Sequence, residues 1–213
     1  MNLKRHIQRV LISLFVFLGL SACTLSTTKN LIETKVTSKT YTNSYFSDSI
    51  KDYVYKAKIE VYGHHLGGLM IIKKIANEHY RIVFATEFGS RILDVEFVKN
   101  DFKTNFVLDE LNKKIIVNTL KKDFKLLLKE KHLIEKMYTN DDAIVYQSRA
   151  NKRTNFFFVS EDNHQLKKIV NTSKTKEKVM ITFSQIEKDL AKEISIVHKN
   201  IKLRIDLKYL DSI

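Results

Sequence analysis

Residues 51–61 read KDYVYKAKIEV, and this stretch decides the fold of the chain. Its apolar and aromatic side chains occupy every second position and its charged side chains occupy positions between them. A period of two is typical of a β-strand with one buried and one solvated face. We therefore predict a strand whose inward residues are Tyr53, Tyr55, Ala57, Ile59 and Val61.

The same alternation recurs in three further runs before residue 100. A turn at 63–68 (GHHLGG) separates the first run from the second, and Gly89-Ser90 separates the third from the fourth. Short turns between alternating runs predict a β-meander of four strands. The apolar positions of the three later runs are Leu69, Ile71 and Ile75; Tyr80, Ile82, Phe84, Thr86 and Phe88; and Leu93, Val95 and Phe97.

The period changes to that of a helix in the middle of the chain. The spacing of the apolar residues predicts a helix over 109–131, with Asp109 and Glu110 at its start and Lys129 and Lys131 at its end, as the helix dipole favours. The β-branched run 115–117 leaves a strand as the alternative. The helix is rich in lysine, and either it packs on the sheet with these lysines in water or it lies on an anionic membrane. Its apolar residues are Leu111, Ile115, Ile116, Leu120, Phe124, Leu127 and Leu128.

Alternation returns in the last third of the chain. The turns there are polar, at 161–164, 171–178 and near 199–200. Nine or ten antiparallel strands with one helix predict a mainly β (α+β) fold, an open or partly closed barrel with a helical lid. The apolar strand positions are Phe156 and Phe158; Leu166 to Val170; Val179, Ile181 and Phe183; Ile194 and Ile196; and Ile201, Leu203, Ile205, Leu207 and Tyr209.

The N-terminus has the features of an export signal. Lys4, Arg5 and Arg9 precede the apolar run VLISLFVFLGL at 10–20. As a helix this run rises only roughly 16 Å, about half the hydrocarbon thickness of a bilayer, so it is too short for a stable span. We predict that residues 1–22 are a signal peptide.

Leu20-Ser21-Ala22-Cys23 follows the apolar run and resembles the bacterial lipobox. That resemblance implies cleavage before Cys23 and acylation of its thiol and of the new amino terminus. The alternative is an ordinary secretory signal followed by an incidental cysteine. We expect Cys23 to be the lipid attachment point, 23–50 to be a flexible tether rich in Thr, Ser, Lys and Asn, and 51–213 to be the folded domain.

Composition argues against most cofactor enzymes. The 213 residues include one Cys and five Gly, too few for a thiolate zinc site, and the glycines do not match the spacing of phosphate-binding loops. We expect no cofactor, no metal and no enzymatic activity. The formal charge of +13 is typical of nucleic-acid binding, but export removes the chain from genomic nucleic acid, so we expect no nucleic-acid partner.

The polar residues of the types that carry chemistry have simpler interpretations. His64-His65 alternate in direction and lack a third ligand, so we predict a solvated turn rather than a metal site. Asp94 and Glu96 share the polar face of a strand, where we expect them to face solvent. Asp141-Asp142 lies in a turn without EF-hand spacing, and Ser90 has no nucleophile elbow.

The order of these elements resembles the LolA/LolB-like lipoprotein-binding family over roughly residues 51–210. The resemblance rests on the acylated Cys, the strand ending in Tyr62-Gly63, the 66–69 turn (LGGL), the strand from Tyr80 to Phe88-Gly89, and the helix before a second meander. It implies an unclosed half-barrel whose apolar cavity, lidded by helices, holds lipoprotein acyl chains. The family's membrane-side receptor also has an apolar residue on a loop between early strands, where the turns predicted here, Asn77-Glu78 and Gly89-Ser90, are polar.

Two hypotheses for function remain. The first is an outer-membrane lipoprotein on the periplasmic face, which binds lipoprotein acyl chains or lipid and has a periplasmic carrier protein as a further partner. The second is a structural or interaction lipoprotein without a ligand cavity. An apolar, unfilled concave face would favour the first. The residues predicted to line the cavity are Ile71, Ile82, Phe84, Leu120, Phe124, Ile181 and Phe183.

Overall fold

The secondary structure is mainly β. The computed structural model describes residues 26–140 and 142–211, which contain a short 3-10 turn at Ser26–Thr28, fifteen strands and one α-helix. The elements are β1 (Ile32–Thr34), β2 (Thr40–Thr42), β3 (Asp52–Val61), β4 (His64–Ala76), β5 (His79–Ala85), β6 (Arg91–Val98), β7 (Asp101–Val107), α1 (Lys114–Leu128), β8 (Lys131–Leu133), β9 (Lys136–Thr139), β10 (Ala143–Ala150), β11 (Arg153–Ser160), β12 (Leu166–Ser173), β13 (Lys176–Glu187), β14 (Leu190–His198) and β15 (Leu203–Tyr209).

Thirteen strands form one antiparallel sheet in the order β1-β9-β10-β11-β12-β13-β14-β15-β3-β4-β5-β6-β7, and β2 pairs separately with β8. The pairing of β15 with β3 joins the two meanders predicted from the sequence. β1 and β7 are the two edges of the sheet, which is not closed. The predicted mainly β fold, an open antiparallel half-barrel with one helix, is confirmed.

The alternation in β3 places its side chains as expected. Tyr53, Tyr55, Ala57, Ile59 and Val61 are all buried. They join residues of β4–β6, β11–β15 and α1 in one continuous hydrophobic core on the concave side of the sheet. The periodicity of one strand therefore identified the face that α1 covers.

The turn after β3 is shorter than predicted. Tyr62 and Gly63 form it alone, both with positive φ (48° and 89°), and β4 begins at His64. Gly68 lies within this strand, where a Cβ atom would come 2.0 Å from the carbonyl oxygen of Ala85. The predicted turn at 63–68 is therefore wrong, because Gly68 serves the close approach of β4 to β5 and not a reversal of the chain.

Phe88 is not in a strand. β5 ends at Ala85, and Thr86–Ser90 form a loop closed by the amide of Thr86 donating to the Ser90 carbonyl at 2.8 Å. Phe88 lies in this loop and is 99% exposed. The alternation of the sequence continues past the end of the strand, which is why the prediction extended it too far.

The helix is shorter than predicted at both ends. It runs from Lys114 to Leu128 rather than over 109–131, so Asp109 and Glu110 lie before it and Lys131 lies in β8. Leu111 is buried in the turn that precedes the helix. The strand alternative for residues 115–117 is excluded.

Most of the predicted tether is part of the fold. β1 pairs with β9, β2 pairs with β8, and the side chains of Asn43, Tyr45 and Phe46 are buried. The prediction of a flexible tether over 23–50 is therefore wrong from Ile32 to Phe46. Residues 23–25 lie outside the described residues.

Candidate ligand-binding site

The concave face is an apolar surface covered by α1. The helix buries one stripe against the sheet, while its lysines face outward or lie at its edges. Six of the seven residues predicted to line a cavity lie together in this core, in contact with one another through the same cluster. They are Ile82, Phe84, Leu120, Phe124, Ile181 and Phe183.

Ile71 does not join the other six. It is 38% exposed, whereas its neighbours Met70 and Ile72 are fully buried. The burial pattern of β4 thus has the opposite phase to the one predicted. Ile71 was assigned to the inward face because Leu69, Ile71 and Ile75 alternate, but Gly68, Met70 and Ile72 are the residues that point to the core.

A strap of residues 43–46 (NSYF) holds the C-terminal end of α1. The amide of Asn43 donates to the Glu130 carbonyl at 2.7 Å, and its Nδ2 donates to the Leu127 carbonyl at 3.2 Å. The next residues insert two rings into the core: Tyr45 lies 4.9 Å from Phe183 between ring centroids, and Phe46 packs edge-on against Tyr53 at 5.1 Å. The strap therefore fills part of the concave face itself, a role that its polar neighbours conceal in the sequence.

Buried tyrosine hydroxyls in this core donate to backbone carbonyls. Tyr45 Oη donates to Leu166 at 2.8 Å, and Tyr55 Oη donates to Ala191 at 3.0 Å. Burial is the main cause that raises the pKa of both phenols, so they remain neutral donors. The polar atoms of the core are thus satisfied without a ligand.

A buried polar pair connects α1 to the sheet. Asp123 Oδ2 in the helix lies 2.8 Å from His198 Nε2 at the end of β14, and both side chains are almost fully buried. Burial raises the pKa of the Asp123 carboxyl, and the hydrogen bond from His198 only partly opposes this. The pair fixes the helix at one polar point within an otherwise apolar contact. No local pattern predicts it, because the two partners are 75 residues apart in the chain.

The strands β2 and β8 cover the end of the sheet near β10 and β11. Tyr41 stacks on Tyr146 with 5.2 Å between ring centroids, and the His132 ring lies 4.3 Å from that of Phe157. His132 Nε2 is 3.0 Å from the Lys129 carbonyl, to which it donates when it bears the proton. Burial lowers the pKa of His132 to about 4, so its ring is neutral near pH 7.

A pocket of about 510 Å³ opens where the C-terminal end of α1 meets the β4–β5 and β6–β7 turns. Phe97 and Leu128 give it apolar walls that belong to the core, and Lys99, Lys125, Lys129 and Lys131 surround it. In its wall Glu130 accepts hydrogen bonds from Tyr80 Oη and from Lys74 Nζ, the latter at 2.6 Å. Burial raises the Glu130 pKa, but these two donors outweigh it and the net pKa is lowered.

Asp94 is buried, contrary to the prediction that it faces solvent. Arg81 donates to both of its carboxylate oxygens, at 3.1 and 2.8 Å, and Asn105 Nδ2 donates at 3.2 Å. These hydrogen bonds, led by those of Arg81, hold the pKa of Asp94 below its ordinary value. The carboxylate is covered because Arg81 on β5 and Asn105 on β7 flank it from both sides, and such cross-strand neighbours cannot be found by alternation alone.

The other polar candidates lie apart from the core. His64 and His65 are exposed at the start of β4, with His65 Nδ1 3.7 Å from Glu60. Glu96 is half-buried, and its Oε1 lies 3.4 Å from His79 Nε2. Within residues 26–140 and 142–211, no three His, Cys, Asp or Glu side chains come together as a metal site.

The N-terminal predictions lie outside the described residues. These predictions are the signal peptide at 1–22 and the acylated Cys23, and Asp141 is outside as well. Among the helices described, none is long and apolar enough to cross a membrane.

This combination of an unclosed antiparallel sheet and one covering helix defines a lidded half-barrel. It is similar to the crystal structure of a LolA superfamily protein from Nitrosomonas europaea, with a TM-score of 0.52 and 9% sequence identity over 79% of this chain and 88% of that one. The protein therefore has the LolA-like fold, and the resemblance read from the sequence is confirmed at the level of the fold.

A second solved structure is more distant. It is a domain from Vibrio parahaemolyticus assigned to outer-membrane lipoprotein sorting, with a TM-score of 0.41 and 7% identity over 75% of this chain and 83% of that one. A TM-score this low carries no weight for fold or function. No protein-family model and no curated protein sequence matches this chain.

Proposed function

We propose that this protein is a lipid-anchored lipoprotein of the bacterial envelope that binds an acyl chain or another hydrophobic ligand between its sheet and α1. One observation supports this above all: a single helix and a short strap cover the apolar concave face of a thirteen-stranded sheet. A ligand of the same apolar character can replace the contacts of such a cover. The role requires no catalysis, and we propose none.

The helix depends on these contacts for its stability. It has fifteen residues, no side-chain hydrogen bond at its N-cap Lys113, and no acidic residue in its first turn. Lysine at the positive end of the helix dipole and the β-branched residues at 115–117 are both unfavourable. An isolated helix of this length is marginal, so α1 is held in place by packing that an apolar ligand can compete for.

The alternative function, a structural or interaction lipoprotein without a ligand, is favoured by one specific observation. The predicted cavity residues pack against each other and against Tyr45 and Phe46, so the concave face is filled by the protein's own side chains. Ligand binding under the proposal therefore requires α1 to move. Movement of α1 on addition of a hydrophobic ligand therefore distinguishes the two functions.

A soluble form gives the test. Every described strand and α1 lie within residues 26–211, so a chain without residues 1–22 and with Cys23→Ala retains the whole described fold. We expect saturable binding of a fluorescent fatty acid, accompanied by faster hydrogen exchange in α1. Asp123→Asn should strengthen that binding several-fold because it weakens the bond to His198. Lys114→Gln, exposed at the start of the same helix, should change it little. Absence of saturable binding in all three proteins would favour the alternative.

Cys23→Ala in the full chain tests the anchor. The lipobox requires the thiol of this one cysteine, so we expect complete loss of metabolic labelling with palmitate. The variant should then either leave the membrane fraction after cleavage of its signal peptide or remain there with the signal peptide uncut. Labelling that persists in the variant would show that lipid is attached elsewhere and would contradict the assignment of Cys23.

Phe88 supports a membrane-proximal role. Its ring is fully exposed at the tip of a loop closed by the Thr86–Ser90 hydrogen bonds, so it is free to enter an apolar phase without any change in the fold. We propose that it inserts into the membrane interface, as the resemblance implies for an apolar residue between early strands. Phe88→Ser should weaken binding of the soluble form to neutral phosphatidylcholine vesicles by about tenfold, the effect of losing one buried aromatic side chain.

The matched control for Phe88 is Ile50, which is 89% exposed just before β3, at the opposite end of that strand from Tyr62-Gly63. Ile50→Ser should leave vesicle binding unchanged. Equal losses in the two variants would mean that exposed apolar area in general, and not the β5–β6 loop, determines the binding.

A further inference from the structure

The turns that connect strands β9 to β15 divide by charge between the two ends of these strands. In an antiparallel sheet successive turns alternate between ends, so the β10–β11, β12–β13 and β14–β15 turns lie at one end. We call this end the basic rim, defined by residues 151–153, 174–178 and 199–202. The strands concerned are consecutive in the sheet, so the three turns are neighbours about 10 Å apart.

The basic rim has a dense positive charge. Seven of its residues are Lys or Arg, and Glu177 is its one acid. Five of the lysines are exposed, and none of these five forms an ion pair with any described residue. They are Lys152, Lys174, Lys176, Lys199 and Lys202.

The opposite end of the same strands has the opposite sign. Its turns, β9–β10, β11–β12 and β13–β14, carry the exposed acids Asp142, Glu161, Asp162, Glu187 and Asp189, with Lys188 as the basic residue among residues 142, 161–165 and 187–189. The β9–β15 half of the sheet is thus polarised along its strands, and the net charge of the chain alone does not require this arrangement.

The chain also enters the fold at the basic rim. Ser26 and Thr27 hydroxyls donate to Glu177 Oε1 at 3.2 and 2.7 Å. Ser26 follows Cys23 by three positions, and three residue steps of extended chain span at most about 11 Å. If Cys23 is acylated as proposed above, the acyl chains leave the protein beside this rim. By the same alternation of turns, the β5–β6 loop with Phe88 is at this end too.

We propose that the basic rim docks on the headgroups of an anionic phospholipid bilayer and holds the half-barrel upright, with its acidic turns away from the membrane. Flexible lysines spread over a row of turns suit a diffuse negative surface, whereas recognition of discrete phosphates favours forked arginine contacts. Arg153, the one arginine of the rim, is half-buried, and its Nη1 donates to Asn171 at 3.4 Å. The proposed function includes a lipid anchor, which alone leaves the domain free to turn. The basic rim adds a fixed orientation of the domain relative to the membrane.

Vesicle binding of the soluble form, without residues 1–22 and with Cys23→Ala, tests this. At 0.1 M salt we expect at least tenfold tighter binding to phosphatidylcholine vesicles with 30% phosphatidylglycerol than to phosphatidylcholine alone, and a steep loss as salt rises. Lys174→Glu/Lys176→Glu/Lys199→Glu should abolish that tenfold preference. The matched control, Lys103→Glu/Lys167→Glu/Lys208→Glu, removes the same charge from exposed positions outside the rim and should retain at least a third of it.

Two results would overturn the proposal. One is equal binding of the unmodified protein to anionic and neutral vesicles. That result would mean that the basic rim does not bind lipid headgroups and would favour an acidic protein surface as its partner. The other is an equal loss in the two triple variants, which would mean that net charge alone governs binding. The rim variant should bind the fluorescent fatty acid as well as the unmodified form does. The fatty-acid assay therefore tests the ligand-binding proposal independently of the vesicle assay, which tests the basic rim.

Discussion

Phe124→Ala should lower the free energy of unfolding by about 3–5 kcal/mol, as expected when a large buried aromatic side chain is removed from a packed core. Phe124 is fully buried at the centre of the α1 stripe, among the residues that fill the concave face. The truncation leaves an apolar cavity under the helix. We therefore also expect tighter binding of a small fluorescent fatty acid, measured on the soluble form alongside its urea unfolding curve.

Ile115→Ala is the control on the same helix. Ile115 is 54% exposed on the outer side, so its truncation should change stability by less than about 0.5 kcal/mol and leave fatty-acid binding unaltered. A loss of stability at Phe124 without any gain in binding would show that the space under α1 does not admit the ligand, and would count against the carrier function.

Acid should weaken the fold through His132. The unfolded chain takes up a proton on this ring near pH 6.5, whereas in the folded state burial lowers the pKa to about 4. Between these values the unfolded state binds more protons, so stability falls as the pH is lowered through this window. The full shift corresponds to about 3 kcal/mol, and urea unfolding between pH 7 and pH 4 should measure it.

His132→Gln keeps a donor for the Lys129 carbonyl and removes the titration. Its stability should therefore depend less on pH between 6.5 and 4.5, a range above that in which acids with lowered pKa values such as Asp94 and Glu130 lose their charge. His164→Gln, at an exposed turn, should keep the pH dependence of the unmodified protein. If His132→Gln and His164→Gln show the same slope, another group is responsible.

The sequence was most informative where one face of an element is buried and the other solvated. The alternation of 51–61 identified β3, and the stripe from Ile116 to Leu128 identified α1, because each pattern follows directly from local geometry. The same reasoning placed Phe124 and Phe84 together in the core. It required no knowledge of which strands pair.

Features that depend on distant partners were missed. Tyr45 and Phe46 lie among polar residues, and their burial results from contacts with Phe183 and Tyr53. Alternation predicted that Asp94 faces solvent, whereas in the structure Arg81 and Asn105 cover it. Phe88 was misassigned for a different reason: alternation has no means of marking where a strand ends, and the turn residues Gly89 and Ser90 that follow it were the available signal.

The two free edges of the sheet have a mechanical consequence. In a closed barrel the number and stagger of the strands fix the circumference, and the interior cannot grow without breaking a ladder of hydrogen bonds. Here no ring of hydrogen bonds connects β1 to β7. The sheet can therefore uncurl by small changes of twist at every strand while each ladder stays intact. The volume inside the half-barrel can therefore change. The element packed against the concave face, which is α1 in this structure, sets how tightly the sheet curls.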